Sequence, residues 1–195
     1  MAYEEQIKHR GRALEEEHIR KHEAKLLEQL RQRAQLDKLA EALAVELQVE
    51  HPELLKRIMD FGITLETGAT FLLAPLIQIA WAEGKVTEPE REAVLQIAGE
   101  CGIKHGSPAH AKAVEWLRDR PSDALFDTSI EALKAGLSVL TPEERAERVK
   151  RIVDYCRRVA SASGGGLARV LGLSSGVSQD EESLIDAIGK NLRAG

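Results

Sequence analysis

The sequence predicts an all-α protein, a multi-helix bundle with two pseudo-symmetric helix-turn-helix units and a long N-terminal helix in front of it. Three observations point there. Aromatic residues fill only 4% of the 195 positions and there are 6 prolines, while Ala, Leu and Glu dominate, a composition that favours helix by intrinsic propensity. Apolar residues recur at spacings of three, four and seven, and no alternating strand pattern occurs. From Phe71 to Ala82 the one polar residue is Gln78, so a helix here is apolar on every side and belongs inside a bundle.

Residues 1–50 form a charged arm, and 51–195 the domain. In the arm, Leu14, Ile19, Leu26, Leu30, Leu36, Leu39, Leu43 and Leu47 draw one apolar stripe along a helix whose other faces are solvated. No glycine or proline stands between Gly11 and Pro52. A helix of that length reaches about 60 Å, longer than a small domain is wide. Two readings stand side by side: Leu26, Leu30, Leu36, Leu39, Leu43 and Leu47 contact a protein partner or a second copy, or the helix folds back along its own domain.

Pro52 opens a short helix that ends at Gly62, and a second break falls at Gly68. The core helix follows, with Pro75 expected to kink it by removing one hydrogen bond. Glu83-Gly84 is a turn, and Thr87 caps a helix to Gly99 that turns Val94, Leu95, Ile97 and Ala98 inward, with Glu90 completing the capping box. Ser107-Pro108 starts a helix carrying Val114, Trp116 and Leu117 that stops before Pro121. The next runs from Ser122 or Asp123 to Leu140 on Leu125, Phe126, Ile130, Leu133 and Leu137. Thr141-Pro-Glu-Glu144 repeats the cap and opens a helix through Val149, Ile152, Val153, Cys156 and Val159 to about Ala162. Gly164-Gly-Gly166 is a loop, and Ser178 with Glu181 caps the last helix, whose inner face is Leu184, Ile185 and Ile188.

The net charge of −5 arises from 27 basic and 32 acidic residues that are well mixed, which argues against nucleic acid or an anionic membrane as partner. The longest apolar run is far below the roughly 20 residues that span a bilayer, and no signal-peptide core is visible, so a cytoplasmic protein is expected. Cys101 and Cys156 lie far apart without a CxxC, as reduced structural thiols do.

Two segments share a pattern: Gly84-Lys-Val86-Thr87-x-x-Glu90-x-x-x-Val94 and Gly176-Val177-Ser178-x-x-Glu181-x-x-x-Ile185. Each has a turn glycine, a β-branched apolar residue, a hydroxyl cap, a glutamate three places on and an inward aliphatic residue. The stretch Ile79-Ala-Trp-Ala-Glu-Gly-Lys-Val-Thr-Glu-Pro-Glu-Arg-Glu-Ala-Val94 resembles the signature of the tellurite-resistance TerB-like family, in which an alanine-rich helix ends in an Asp-Gly-x-Ile/Val turn before a capped helix. Ala160-Ser-Ala-Ser-Gly-Gly-Gly-Leu167 with the second box is similar to that family's second half, so the resemblance covers about 70–193. Glu83 stands where the family usually has aspartate. The resemblance implies an all-α cytoplasmic domain linked to stress response, with acidic patches suggested to bind metal and with protein partners.

Glu83, Glu90 and Glu181 are the acidic positions that match the family pattern. If the repeats face each other, Glu83 and Glu90 approach Asp180 and Glu181 in an oxygen-rich site suited to Ca²⁺ or Mg²⁺; the plainer account makes Glu90 and Glu181 reciprocal caps. Glu15, His18 and His22 share a helical face with zinc-ligand spacing, but Ile19 follows His18, so the HExxH base is absent. Neither cysteine has an activating context, Ser161-Ala-Ser163-Gly lacks a nucleophile elbow, and no Gly-Lys-Ser/Thr follows the glycine run. The expected function is therefore a non-enzymatic interaction or regulatory module that needs no cofactor, with a metal-responsive module binding Ca²⁺, Mg²⁺ or Zn²⁺ as the alternative.

Overall fold

The computed structural model describes residues 19–28, 30–31, 51–163 and 177–194. The chain divides into two units, Met1–Lys38 and Leu39–Gly195. In the first, 19–28 and 30–31 are helical. In the second, α1 (Pro52–Asp60) is followed by a 3-10 helix (Gly68–Leu73) and by α2 (Ala74–Ala80), α3 (Glu88–Glu100) and α4 (Pro108–Arg118). The order closes with α5 (Asp123–Ser138), α6 (Pro142–Ser163) and α7 (Gln179–Arg193). The described residues contain no strand, and no helix among them is long and apolar enough to cross a membrane.

Proline sets the helix starts. Pro52, Pro75, Pro89, Pro108 and Pro142 all occupy the first or second position of a helix, where the missing N–H has no intrahelical partner to lose. Pro75 therefore does not kink a longer helix, as the sequence suggested. Residues 68–73 wind as 3-10 and the tighter winding gives way to α at Ala74-Pro75. Proline costs nothing at that junction, because the α ladder only begins there. Side-chain caps complete the starts: Ser107 Oγ accepts from the His110 amide at 3.2 Å, and Ser122 Oγ from the Leu125 amide at 3.3 Å. Gly84, at φ 80°, turns the chain between α2 and α3 in a conformation that a Cβ disfavours.

α2 is the centre of the bundle. It touches α3, α4, α5, α6, α7 and the 3-10 helix, and Ala74, Pro75, Leu76, Ile77, Ile79 and Ala80 are all buried. Packing on every side is what its apolar sequence requires. Around it, α3 contributes Val94, Ile97 and Ala98, α5 Leu125, Phe126, Leu133 and Leu137, and α6 Val149, Val153, Cys156 and Val159. Leu95, Val114 and Leu184, expected inside, are half-buried at the margin.

The two helix pairs α2–α3 and α6–α7 interlock: α2 meets α6, α3 packs on α6, and α7 packs on both α2 and α6. Gly189 permits the last contact, since a Cβ there would lie 3.1 Å from Val153 Cγ2. Hydrogen bonds pin the connections. Thr70 Oγ1 donates to the Ala109 carbonyl at 2.8 Å and Trp81 Nε1 to the Trp116 carbonyl at 2.8 Å, fixing both ends of the core segment to α4. Arg158 grips Glu100 with both guanidinium nitrogens, at 2.8 and 2.7 Å, joining α6 to the end of α3.

Candidate functional site

Three helices start with the same motif, a hydroxyl residue followed three places later by glutamate. At α3, the Thr87 amide and hydroxyl both donate to Glu90 Oε2 at 2.7 Å. At α6, Thr141 does the same to Glu144 Oε2, at 3.0 and 2.9 Å. At α7, the Ser178 amide donates to Glu181 Oε2 at 2.7 Å and Ser178 Oγ accepts from the Glu181 amide at 3.2 Å. Each pairing satisfies a backbone donor that the first turn leaves open.

Their surroundings differ. Glu144 is exposed, and its bonds from Thr141 hold the carboxyl below the usual carboxylate range. Glu90 and Glu181 are buried, at 2% and 1% exposure. Burial pushes the Glu181 carboxyl up, against the lowering bonds from Ser178, and the charges of Glu83 and Glu90 push it further. Glu83 lies on the exposed turn after α2 and Glu90 on the first turn of α3, so the fold brings both close enough for their fields to act at the start of α7. Glu181 Oε1 is itself buried and has no hydrogen-bond partner among the described residues. A buried carboxylate oxygen without a donor is costly, and such an atom calls for an explanation.

Of the four acidic residues proposed from sequence, Glu83 and Glu90 are the two whose charges act on Glu181. Asp180 is exposed on α7, and its charge is not among those that act on Glu181. Carboxylate oxygens are of the type that hard divalent cations take. Among the described residues no three His, Cys, Asp or Glu side chains converge as a ready metal cage.

The other candidates distribute as follows. In the arm, Leu26 and Leu30 are exposed, at 48% and 58%, together with Ile19 and Leu27. Leu36, Leu39, Leu43 and Leu47 lie outside the described residues, as do Glu15, His18, Gly164 to Gly166 and Gly176. Cys156 is buried and its thiol is pushed up to about 12, and burial together with Glu100 raises that of Cys101, so neither is an activated nucleophile. His105 and His110, which have no ligand spacing in sequence, meet ring to ring with centroids 4.6 Å apart, because the turn at Gly106 folds one back on the other. Comparison with protein-family models, with curated proteins and with solved structures found no match to this chain.

Proposed function

We propose that this chain is a non-enzymatic, TerB-like helical module whose regulatory input is a divalent cation at the junction of its two buried capping boxes. The observation that carries this reading is the buried Oε1 of Glu181, which has no hydrogen-bond partner among the described residues and lies in the field of Glu83 and Glu90. Glu181 would hold a Ca²⁺ or Mg²⁺ ion, with Glu90 and Glu83 reaching it from the other turn. The capping bonds use Oε2 of Glu181 and of Glu90, so neither cap has to break to release an oxygen. A bound ion would supply positive charge among like-charged carboxylates. Titrating chelator-treated protein with Ca²⁺, Mg²⁺ and Zn²⁺ in a thermal melt tests the idea. A saturable rise in Tm, lost in Glu181→Gln and weakened in Glu83→Gln, is expected; no rise with any of the three ions overturns it.

A second reading concerns output. Ile19, Leu26, Leu27 and Leu30 are each exposed by about half, at 55%, 48%, 55% and 58%, on a helix otherwise rich in charge. Spacings of seven and four between Ile19, Leu26 and Leu30 place those three on one face, as a helix-to-helix contact requires. That face serves to dock the module on a protein partner, or on a second copy, in a cytoplasmic stress-linked assembly. Light scattering of the wild type and of Leu26→Glu/Leu30→Glu tests the self-association branch.

A further inference from the structure

Gln78 is the polar exception in the core helix, and neither the caps nor the arm gives it a role. Five of its six companions in α2 lie within 2% of full burial, yet Gln78 is half-buried and no protein group among the described residues bonds its carboxamide. It opens into a groove of about 720 Å³ bounded by α1, α2, α5 and α7, a volume typical of a small-ligand site. Two charged groups of α5 line the same groove without an ion-pair partner among the described residues, Asp127 and the half-buried Lys134. Between them Glu131 is neutralised by Arg57 across the groove, at 2.6 Å. Asn191 of α7 supplies a second free amide, and Leu54 and Ile188 an apolar floor.

Glu53 of α1 also lines the groove without an ion-pair partner among the described residues, and the spacing of the two α5 charges sets the length of the ligand. Asp127 and Lys134 stand seven residues apart on one helix face, so about 10 Å separates them along the axis. An extended chain of three residues spans about 10 Å from amine to carboxylate, whereas a single amino acid spans far less. We propose that this groove binds a short peptide with free termini, of about three residues, its ammonium at Asp127, its carboxylate at Lys134, and its amide groups bonded by Gln78 and Asn191. The apolar floor accepts a small aliphatic side chain. This site is independent of the acidic junction and needs no cation.

Isothermal calorimetry on the full chain tests the proposal, with trialanine and trileucine as probes beside N-acetyl-trialanine amide and free alanine. At least one free tripeptide is expected to bind saturably at one per chain, with the blocked peptide and alanine at least tenfold weaker. Lys134→Gln, an Asp127→Asn change and Gln78→Leu should each weaken binding, the charge changes by about tenfold, because each removes a charge-assisted bond. Circular dichroism verifies that the variants are folded. Absence of saturable binding by either free tripeptide overturns the proposal. So does equal binding of the blocked form, or binding unchanged in both charge variants.

Discussion

The Ser178 amide donates to Oε2 of Glu181 at 2.7 Å, while the second oxygen of that carboxylate is buried and meets no donor among the described residues. One half of the side chain caps a helix and the other half is left in a site that penalises its charge. Because burial and the charges of Glu83 and Glu90 raise its pKa in the folded chain, the folded state holds the Glu181 proton more tightly than the unfolded state does. Glu181 therefore contributes stability that is complete below the ordinary carboxylate pKa and is lost as pH rises through the raised, folded value. Urea denaturation from pH 4.5 to 7.5 should show this component in the wild type. Glu181→Gln keeps an acceptor for the Ser178 amide and should flatten it; an unaltered pH slope in that variant would falsify the assignment.

Trp81→Phe keeps an aromatic side chain, though a smaller one, and removes the donor to the Trp116 carbonyl. A loss of about 1 to 2 kcal/mol is expected in equilibrium denaturation, since the partly buried carbonyl is left unsatisfied. Thr70→Val removes the equivalent bond to Ala109 at the other end of the core segment and should cost a similar amount.

Gly189→Leu should destabilise the fold by about 1 to 3 kcal/mol, because even a Cβ at this position meets Val153 Cγ2 at 3.1 Å and the α6–α7 contact must open. Phe126→Ala, at a fully buried ring, should cost about 3 to 5 kcal/mol, whereas Val139→Ala, at 56% exposure, should fall within about 0.5 kcal/mol of wild type. Denaturant midpoints for the three variants give the comparison directly.

Leu26→Glu/Leu30→Glu replaces two exposed apolar residues by charge. If the arm joins copies of the chain, the mass measured by light scattering should drop to that of one chain at concentrations where the wild type associates, while the melt of the domain stays unchanged. A wild type that is monomeric throughout removes self-association and leaves only a foreign partner for this face.

Capping motifs were readable because they are local. Thr87 and Glu90, Thr141 and Glu144, Ser178 and Glu181 each lie three residues apart, and the bonds between them depend on little beyond the helix they start. The same holds for Pro52, Pro108 and Pro142 at helix starts and for the turn at Gly84. Pro75 was misjudged because an unbroken apolar run hides a change of winding: 3-10 and α segments bury the same residues.

What the sequence by itself determined is the helical class, most of the helix limits and the identity of the central helix, since propensity, periodicity and caps act over a few residues. Only the tertiary structure decided what each glutamate does. Three caps of one sequence pattern end up with one carboxyl lowered in solvent at Glu144 and another raised in the interior at Glu181, because burial and the fields of Glu83 and Glu90 come from residues distant in the chain. The same holds for Gln78: its place in the sequence marks it as an exception, but the groove that gives it neighbours exists only once α1, α5 and α7 have closed around α2.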